Sequence, residues 1–592
     1  MSDIEKLNAE VVAVLPNKIK ISVDKLEDFK IAEESLKIGS YLKISDNENT
    51  GLIAVISNYL IEVNDKNERR YIIEANPLGI LKDDEFKRGG DELAIPPKEA
   101  APLSKEDIRK IYQSSIEETK KFVFSSLSQI RDIDIPVDGN KFFNKHIAIV
   151  GATGSGKSCT VARIIQNVIN AKAGEYDGLN NSHIIIFDIH SEYKKAFPDA
   201  NYISIDNMRL PYWLLNSEEL EQILLDTGDR DNYNQSSVFR SLVTENKRKH
   251  NKEIKKVFYD SPLLFDINEI ENALVNLKNE TKNSKSSNRY MLIDDSYSLE
   301  SGGTDVNSGI ELTDKERWAK YFEKEYKFHP TKNQNITKGD YADGTLDKFV
   351  SRFQAKIRQD RLEFLFGEQS KKITFEDVVK EIIGYKDSNN ANVTIIDLNG
   401  VPFEALSITV SLISRILFEY GYYYKKIRTK NNPEEKINND TPLLLVYEEA
   451  HQYVPKSDLV RYRASKNSIE RIAKEGRKYG VTLMIASQRP SEISETIFSQ
   501  CNNFIAMRLT NPDDQNYVKK LLPDTLGSMT EILPSLGAGE ALLIGDSVVM
   551  PSIVYISPAK PEPSSNDIPY WDIWKEQWKE VKFSDITNEW EK

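Results

Sequence analysis

Gly151-Ala-Thr-Gly-Ser-Gly156-Lys157-Ser158 is a complete GxxxxGK[ST] segment, and no other feature of the chain restricts its fold as strongly. It follows directly on the apolar run His146–Val150 and precedes a helical pattern from Lys157 to Ala171. A buried strand, a glycine turn and a helix N-terminus in that order make a nest of inward-facing N–H groups for phosphate. Gly151, Thr153, Gly154, Ser155, Gly156 and Cys159 supply the cradle. Lys157 is placed to reach the β- and γ-phosphates of ATP, and Ser158 to hold Mg²⁺.

Such a loop needs acidic groups beside the metal. Leu443–Tyr447 reads as a buried strand ending in Glu448 and Glu449. Glu448 stands where a carboxylate assists Mg²⁺, and Glu449 where one polarises the attacking water. Gln488 ends the next strand, Val481–Ala486, as a sensor of the γ-phosphate or a group that positions water. Arg477 lies just before that strand. It is either a finger into a neighbouring subunit's ATP or an ordinary solvated arginine.

Apolar strands recur at Ile184–Asp188, Val393–Asp397 and Phe504–Arg508, separated by helical patterns, so the core is α/β with a parallel sheet, RecA-like. Residues 1–98 read as short Val-, Ile- and Tyr-rich strands of a small β-barrel. Ala94–Pro102 reads as a Pro-rich linker. The core is then expected over 99–205 and 386–556, split by a mostly helical insertion over 206–385 with polar loops such as Lys282–Asn288 and Ser301–Ser308. An aromatic arm over 557–592 follows a stiff spacer, Pro558–Pro563. Trp571, Trp574 and Trp578 are spaced to share one face of a helix. With Cys159 and Cys501 as its two cysteines, no signal-peptide pattern and no apolar run near the ~20 residues of a membrane span, the chain is expected to be cytoplasmic.

No NKxD argues against a GTPase and no LSGGQ against a transporter cassette. Too little chain follows Gln488 for a second RecA-like lobe, so ATP is expected between subunits of a ring. KHIAIVGATGSGKS, IIIFDIHSEY, VTIIDLNGVP, LLLVYEEAHQYVP, EGRKYGVTLMIASQRP and LPSLGAGEALLIGD, in this order, resemble the HerA family of hexameric DNA-pumping ATPases in the HerA/FtsK group. The resemblance implies a homohexamer threaded by double-stranded DNA, with Lys157, Ser158, Glu448, Glu449 and Gln488 in the roles above and Arg477 acting in trans. It also implies a partner docked on the amino-terminal barrel, either a nuclease or an effector such as a sirtuin-like NAD-consuming enzyme in a bacterial anti-phage operon. The alternative is a scaffold whose ring assembles on ATP without translocating. Lys145 stands where family members often carry arginine, and Ser191 where they carry glycine.

The formal net charge of -13 excludes a surface coated all over by nucleic acid, but not a local basic track. One basic stretch spans 456–478 and includes Arg461, Arg463 and Lys466. Another is Lys247–Lys256, which a solvated helix face explains equally well. Asp188, His190 and Glu192 fit a structural strand end better than a metal site.

Overall fold

The computed structural model describes residues 9–15, 18–23, 38–45, 50–63, 69–82, 85–89, 99–225, 232–285, 289–293, 310–331, 335–385, 390–435, 439–457, 464–521, 529–564 and 568–590. The expected loop Ser301–Ser308, the 94–98 half of the expected linker, and Arg461 and Arg463 lie outside these residues.

The centre is an eleven-stranded sheet. Its strands run in the order Asn201–Ile203, Val393–Asp397, His183–Asp188, Leu443–Tyr447, Val481–Ser487, His146–Val150, Cys501–Met507, Glu540–Gly545, Ser552–Tyr555, Lys121–Leu127 and Ile130–Asp138. Every pairing as far as Cys501–Met507 is parallel, and every later one is antiparallel. The inner parallel strands are buried on both faces, which is why they read as unbroken apolar runs. A 29-residue helix, Phe403–Asn431, packs its first half into the core beside the helix Ala464–Glu475.

The amino-terminal strands form a separate antiparallel sheet that curls until Lys18–Val23 pairs with Arg69–Lys82 as well as with Ala9–Leu15. It closes on its own small core of Val11, Ile21, Ile44, Ile56 and Ile73. Glu99–Pro102, expected as linker, is a strand of this sheet between Ala9–Leu15 and Tyr41–Ser45. Its one proline, Pro102, does not prevent this, because it ends the strand and the Ala9–Leu15 side pairs only at Glu10 and Glu99, so few ladder bonds are needed. The sheet is joined to the core by buried hydroxyls: Tyr41 donates to Ser552 at 3.0 Å, and Tyr112 meets the same oxygen at 2.5 Å.

Residues 206–385 contain the expected helices and also a five-stranded antiparallel sheet built on Arg289–Ile293. Its strands are two to five residues long, too short to show a period of two in the sequence. Glu219, fully buried, fastens this region to the core: it completes a capping box with Asn216 and ion-pairs Arg415 at 2.7 Å.

The spacer after residue 557 does not project freely. Gln166 donates to the Pro561 carbonyl and accepts from Lys560 N, both at 2.9 Å, which lays the spacer along the helix Lys157–Asn170. Beyond it, the single indole face expected for Trp571, Trp574 and Trp578 does not form, because the helix Tyr570–Trp574 ends after one turn. Trp571 and Trp574 are each 72% exposed and Trp578 93%, and a helix this short has no stability without packing. No helix among the described residues is long and apolar enough to cross a membrane.

Candidate active site

Parallel strands place their carboxyl ends on one edge, and there three neighbouring strands deliver the chemistry. The strand of Gln488 lies between the phosphate-loop strand and the strand of Glu448 and Glu449, in register at Ile147–Met484 and Val446–Met484. Gln488 is thereby set between the loop and the carboxylates.

The loop itself turns on glycines with left-handed backbone, Gly154 at φ 73° and Gly156 at φ 97°. The helix Lys157–Asn170 starts immediately after, with Lys157 on its buried side. The ammonium of Lys157 donates to Glu448 Oε1 and, at 2.9 Å, to Glu449 Oε1. Ser158 Oγ lies 3.5 Å from Glu448 Oε1, and Tyr193 donates to Glu448 Oε2 at 3.1 Å.

Consecutive residues leaving a strand normally point to opposite faces. Glu449 escapes that rule because its backbone is left-handed, at φ 48° and ψ 47°. For a non-glycine residue this conformation costs on the order of 1–3 kcal/mol. Both carboxylates consequently face Lys157. Gln488 then links loop to acid: the Thr153 hydroxyl donates to its Oε1 at 2.5 Å, and its Nε2 donates to Glu449 Oε1 at 2.7 Å.

The charges are strongly coupled. Burial works against the charge on Lys157, but the two carboxylates outweigh it and raise the pKa. Burial, with Glu449 adding like charge, holds Glu448 above the ordinary carboxylate range even beside Lys157. Burial also opposes ionisation of Glu449, yet Lys157 and Gln488 prevail and its pKa falls. Glu449 is thus the group kept as a free base, and Glu448 the one whose charge needs a further cation. Hydroxyl and carboxylate oxygens are hard donors of the kind Mg²⁺ takes, so Ser158 and Glu448 fit that metal, either directly or through its water.

Arg477 is exposed in the turn Gly476–Tyr479, at the start of the Val481–Ser487 strand. The seven-residue strand separates it from Gln488 by about 20 Å. It therefore does not reach the loop of its own chain. Lys145, on the same edge, is ion-paired with Asp546. Of the expected basic stretch, Lys466 is corrected: it is buried, donating to the Lys456 carbonyl at 3.3 Å. The helix Ala464–Glu475 turns Lys466, Ile469 and Ile472 inward together, so a run of cations in sequence is not a stripe in space.

Asp188 is a structural strand end, as its carboxylate accepts from His190 N at 3.2 Å and Tyr193 N at 2.9 Å. No cluster of metal-binding side chains occurs among the described residues. Ser191 is left-handed at φ 57°, the conformation that suits glycine, and its hydroxyl offsets the strain by bonding both Asp397 oxygens at 2.9 and 3.0 Å. Two neighbours of the site escaped the sequence reading. Tyr193 is visible in IIIFDIHSEY only as an apolar residue, and His451 Nδ1 sits 3.3 Å from both Glu449 Oε2 and Ser487 Oγ.

Among known proteins, the family described as "Helicase HerA, central domain" matches residues 122–417. A probable helicase of Methanocaldococcus jannaschii is 24% identical over 593 residues, covering 94% of each chain. The DNA double-strand break repair helicase HerA of Sulfolobus acidocaldarius is 26% identical, over 83% of this chain and 80% of that one. Among solved structures, plasmid coupling protein TrwB in complex with ADP and Mg²⁺ is similar at 11% identity, over 78% of this chain and 94% of that one, with a TM-score of 0.42.

Proposed function

The chain belongs to the HerA helicase family and is an ATP-hydrolysing enzyme, and from that premise we propose a homohexameric translocase on double-stranded DNA that activates a partner nuclease or defence effector. The observation that carries the hydrolytic part of this reading is the join of Thr153, Gln488 and Glu449 around Lys157, which ties the phosphate loop to a carboxylate. Lys157 balances phosphate charge, and Ser158 and Glu448 would hold Mg²⁺. Glu449 takes the proton of the attacking water while Gln488 orients that carboxylate and reads the γ-phosphate. Bound Mg²⁺ supplies charge neutralisation at the phosphates.

A ring is supported by Arg477, which cannot serve its own loop and is free to serve a neighbour's, and by the exposed indoles of the tail, which suit packing on an adjacent subunit. DNA as the track is supported by the repair helicase that the chain resembles. The curled amino-terminal sheet, with a core of its own, is the docking domain for the partner.

The test is ATP turnover with and without linear duplex DNA. Stimulation by DNA of any sequence, falling steeply with salt, is the expected result. Turnover indifferent to DNA, together with ATP-dependent oligomerisation, would replace the translocase by the scaffold.

A further inference from the structure

The phosphate loop has a neighbour on its other flank, the parallel strand Cys501–Met507, whose end continues into Arg508. The Arg508 carbonyl accepts from Ala152 N at 2.8 Å, so the residue is fixed to the loop through its backbone. Its guanidinium then lies over the loop's crown: Nη2 is 3.7 Å from where a Cβ on Gly154 would stand. The Nε is buried and has no hydrogen-bond partner, and no carboxylate pairs with the side chain among the described residues.

An arginine with no carboxylate partner beside a phosphate nest is placed to meet an anion, and Nη2, the nitrogen nearest the loop, is the one that reaches it. The contrast with Lys157 is direct. Lys157 is answered from within the chain by Glu448 and Glu449, whereas Arg508 stands beside a phosphate nest with no ion-pair partner among the described residues.

We propose that Arg508 is a further phosphate ligand of the bound nucleotide, acting in cis on the phosphates that ATP and ADP share. Its place in the sheet is the ground for choosing those phosphates. Gln488 and Glu449, the groups that address the transferred phosphate, end strands on one side of His146–Val150, and Arg508 ends the strand on the other. A guanidinium on that side grips what remains after hydrolysis. It contributes to ground state and transition state alike, which sets affinity and leaves the chemical step unchanged. The glycine at 154 has a second use here: a side chain at that position would stand in van der Waals contact with the guanidinium and shield it from phosphate.

This inference rests on the loop being a nucleotide site, and the experiment separates the two. Equilibrium binding of ATP and of ADP, each with Mg²⁺, is measured for the full chain, for Arg508→Ala and for Arg508→Lys, alongside steady-state hydrolysis. Loss of a charge-assisted hydrogen bond corresponds to about a ten- to hundredfold change. Arg508→Ala should therefore weaken both nucleotides by that factor to the same extent and raise KM with kcat within about twofold. Arg508→Lys, which keeps the charge and loses the fork, should recover part of the affinity. The bond from Ala152 N to the carbonyl of residue 508 survives either change, so the loop keeps its backbone support. Wild-type protein that binds neither nucleotide would remove the site itself. Wild type that binds both, with Arg508→Ala binding equally well or losing kcat instead, would overturn the role of Arg508.

Discussion

The two ends of the parallel sheet hold charge in opposite ways. At the carboxyl ends of the strands, Lys157, Glu448, Glu449 and Gln488 are buried or half-buried, and each is engaged by another of the set. At the amino ends, Arg477 and Lys478 are exposed beside a buried, neutral imidazole, His146, and Arg477 has no ion-pair partner among the described residues. The first end is pre-organised by its own chain and keeps its geometry in a single protomer. The second leaves a guanidinium exposed and out of reach of its own phosphate loop.

The most severe test of the first end is Lys157→Ala. Removing the ammonium leaves two buried carboxylates and the phosphates uncompensated, so turnover should fall by about a thousandfold or more. An assay that finds most of the activity intact would dissolve the contrast at once. Glu449→Gln should come next, keeping nucleotide binding while slowing hydrolysis well beyond tenfold, or about 1.4 kcal/mol in the barrier. A loss smaller than that would show that Glu449 does not activate water.

The second end is addressed by Arg477→Ala, which should bind nucleotide normally and hydrolyse it poorly. Mixed with Glu449→Gln protein it should regain part of the activity, because a mixed ring pairs an intact finger with an intact base. Mixed rings verified by mass that stay inactive would return Arg477 to the ordinary solvated surface.

His146 sharpens the comparison through pH. Its Nε2 faces the Ala473 carbonyl at 2.9 Å, and its Nδ1 accepts from Leu483 N at 3.0 Å, so the fold requires the neutral ring. Burial first, and then the charge of Arg477, press its pKa down to about 4 from 6.5, against the pull of the Ala473 carbonyl. A base depressed in the folded state is protonated sooner in the unfolded one. Stability is therefore full above pH 6.5 and is lost as pH falls towards 4, by about 3 kcal/mol over the window. Melting curves should show His146→Gln with a shallower acid slope than wild type; identical slopes would mean the imidazole is not buried neutral.

The smallest expected effect on the protomer is from deleting the exposed tail, residues 568–590. With no described side chain of the tail buried, the melting of each protomer should move by less than about 0.5 kcal/mol, while the oligomer dissociates at higher concentration. A tail-less chain that is still hexameric on the same dilution would show that the arm does not brace the ring.

Local patterns were legible in the chain. Six glycine-loop residues, the loop lysine with its following serine, and apolar runs ending in Glu448-Glu449 or Ser487-Gln488 announce a parallel core, because strands covered on both faces have no polar positions to interrupt them. The amino-terminal strands were readable by another signal, Val- and Ile-rich runs with alternate residues turned inward, and Glu99–Pro102 was not, since a four-residue strand leaves no periodic signal. The same limit hid the small sheet within 206–385.

Which strand lies beside which was left to packing. Strand order places Gln488 between loop and acid and puts Arg508 on the opposite flank. It also buried Lys466, which sequence counting had set among the exposed cations. The physical reason is that hydrogen-bonded neighbours in a sheet are chosen by long-range packing of residues hundreds of positions apart, while the left-handed turn at Glu449, which aims two adjacent carboxylates at one lysine, is strain that the surrounding contacts must hold in place.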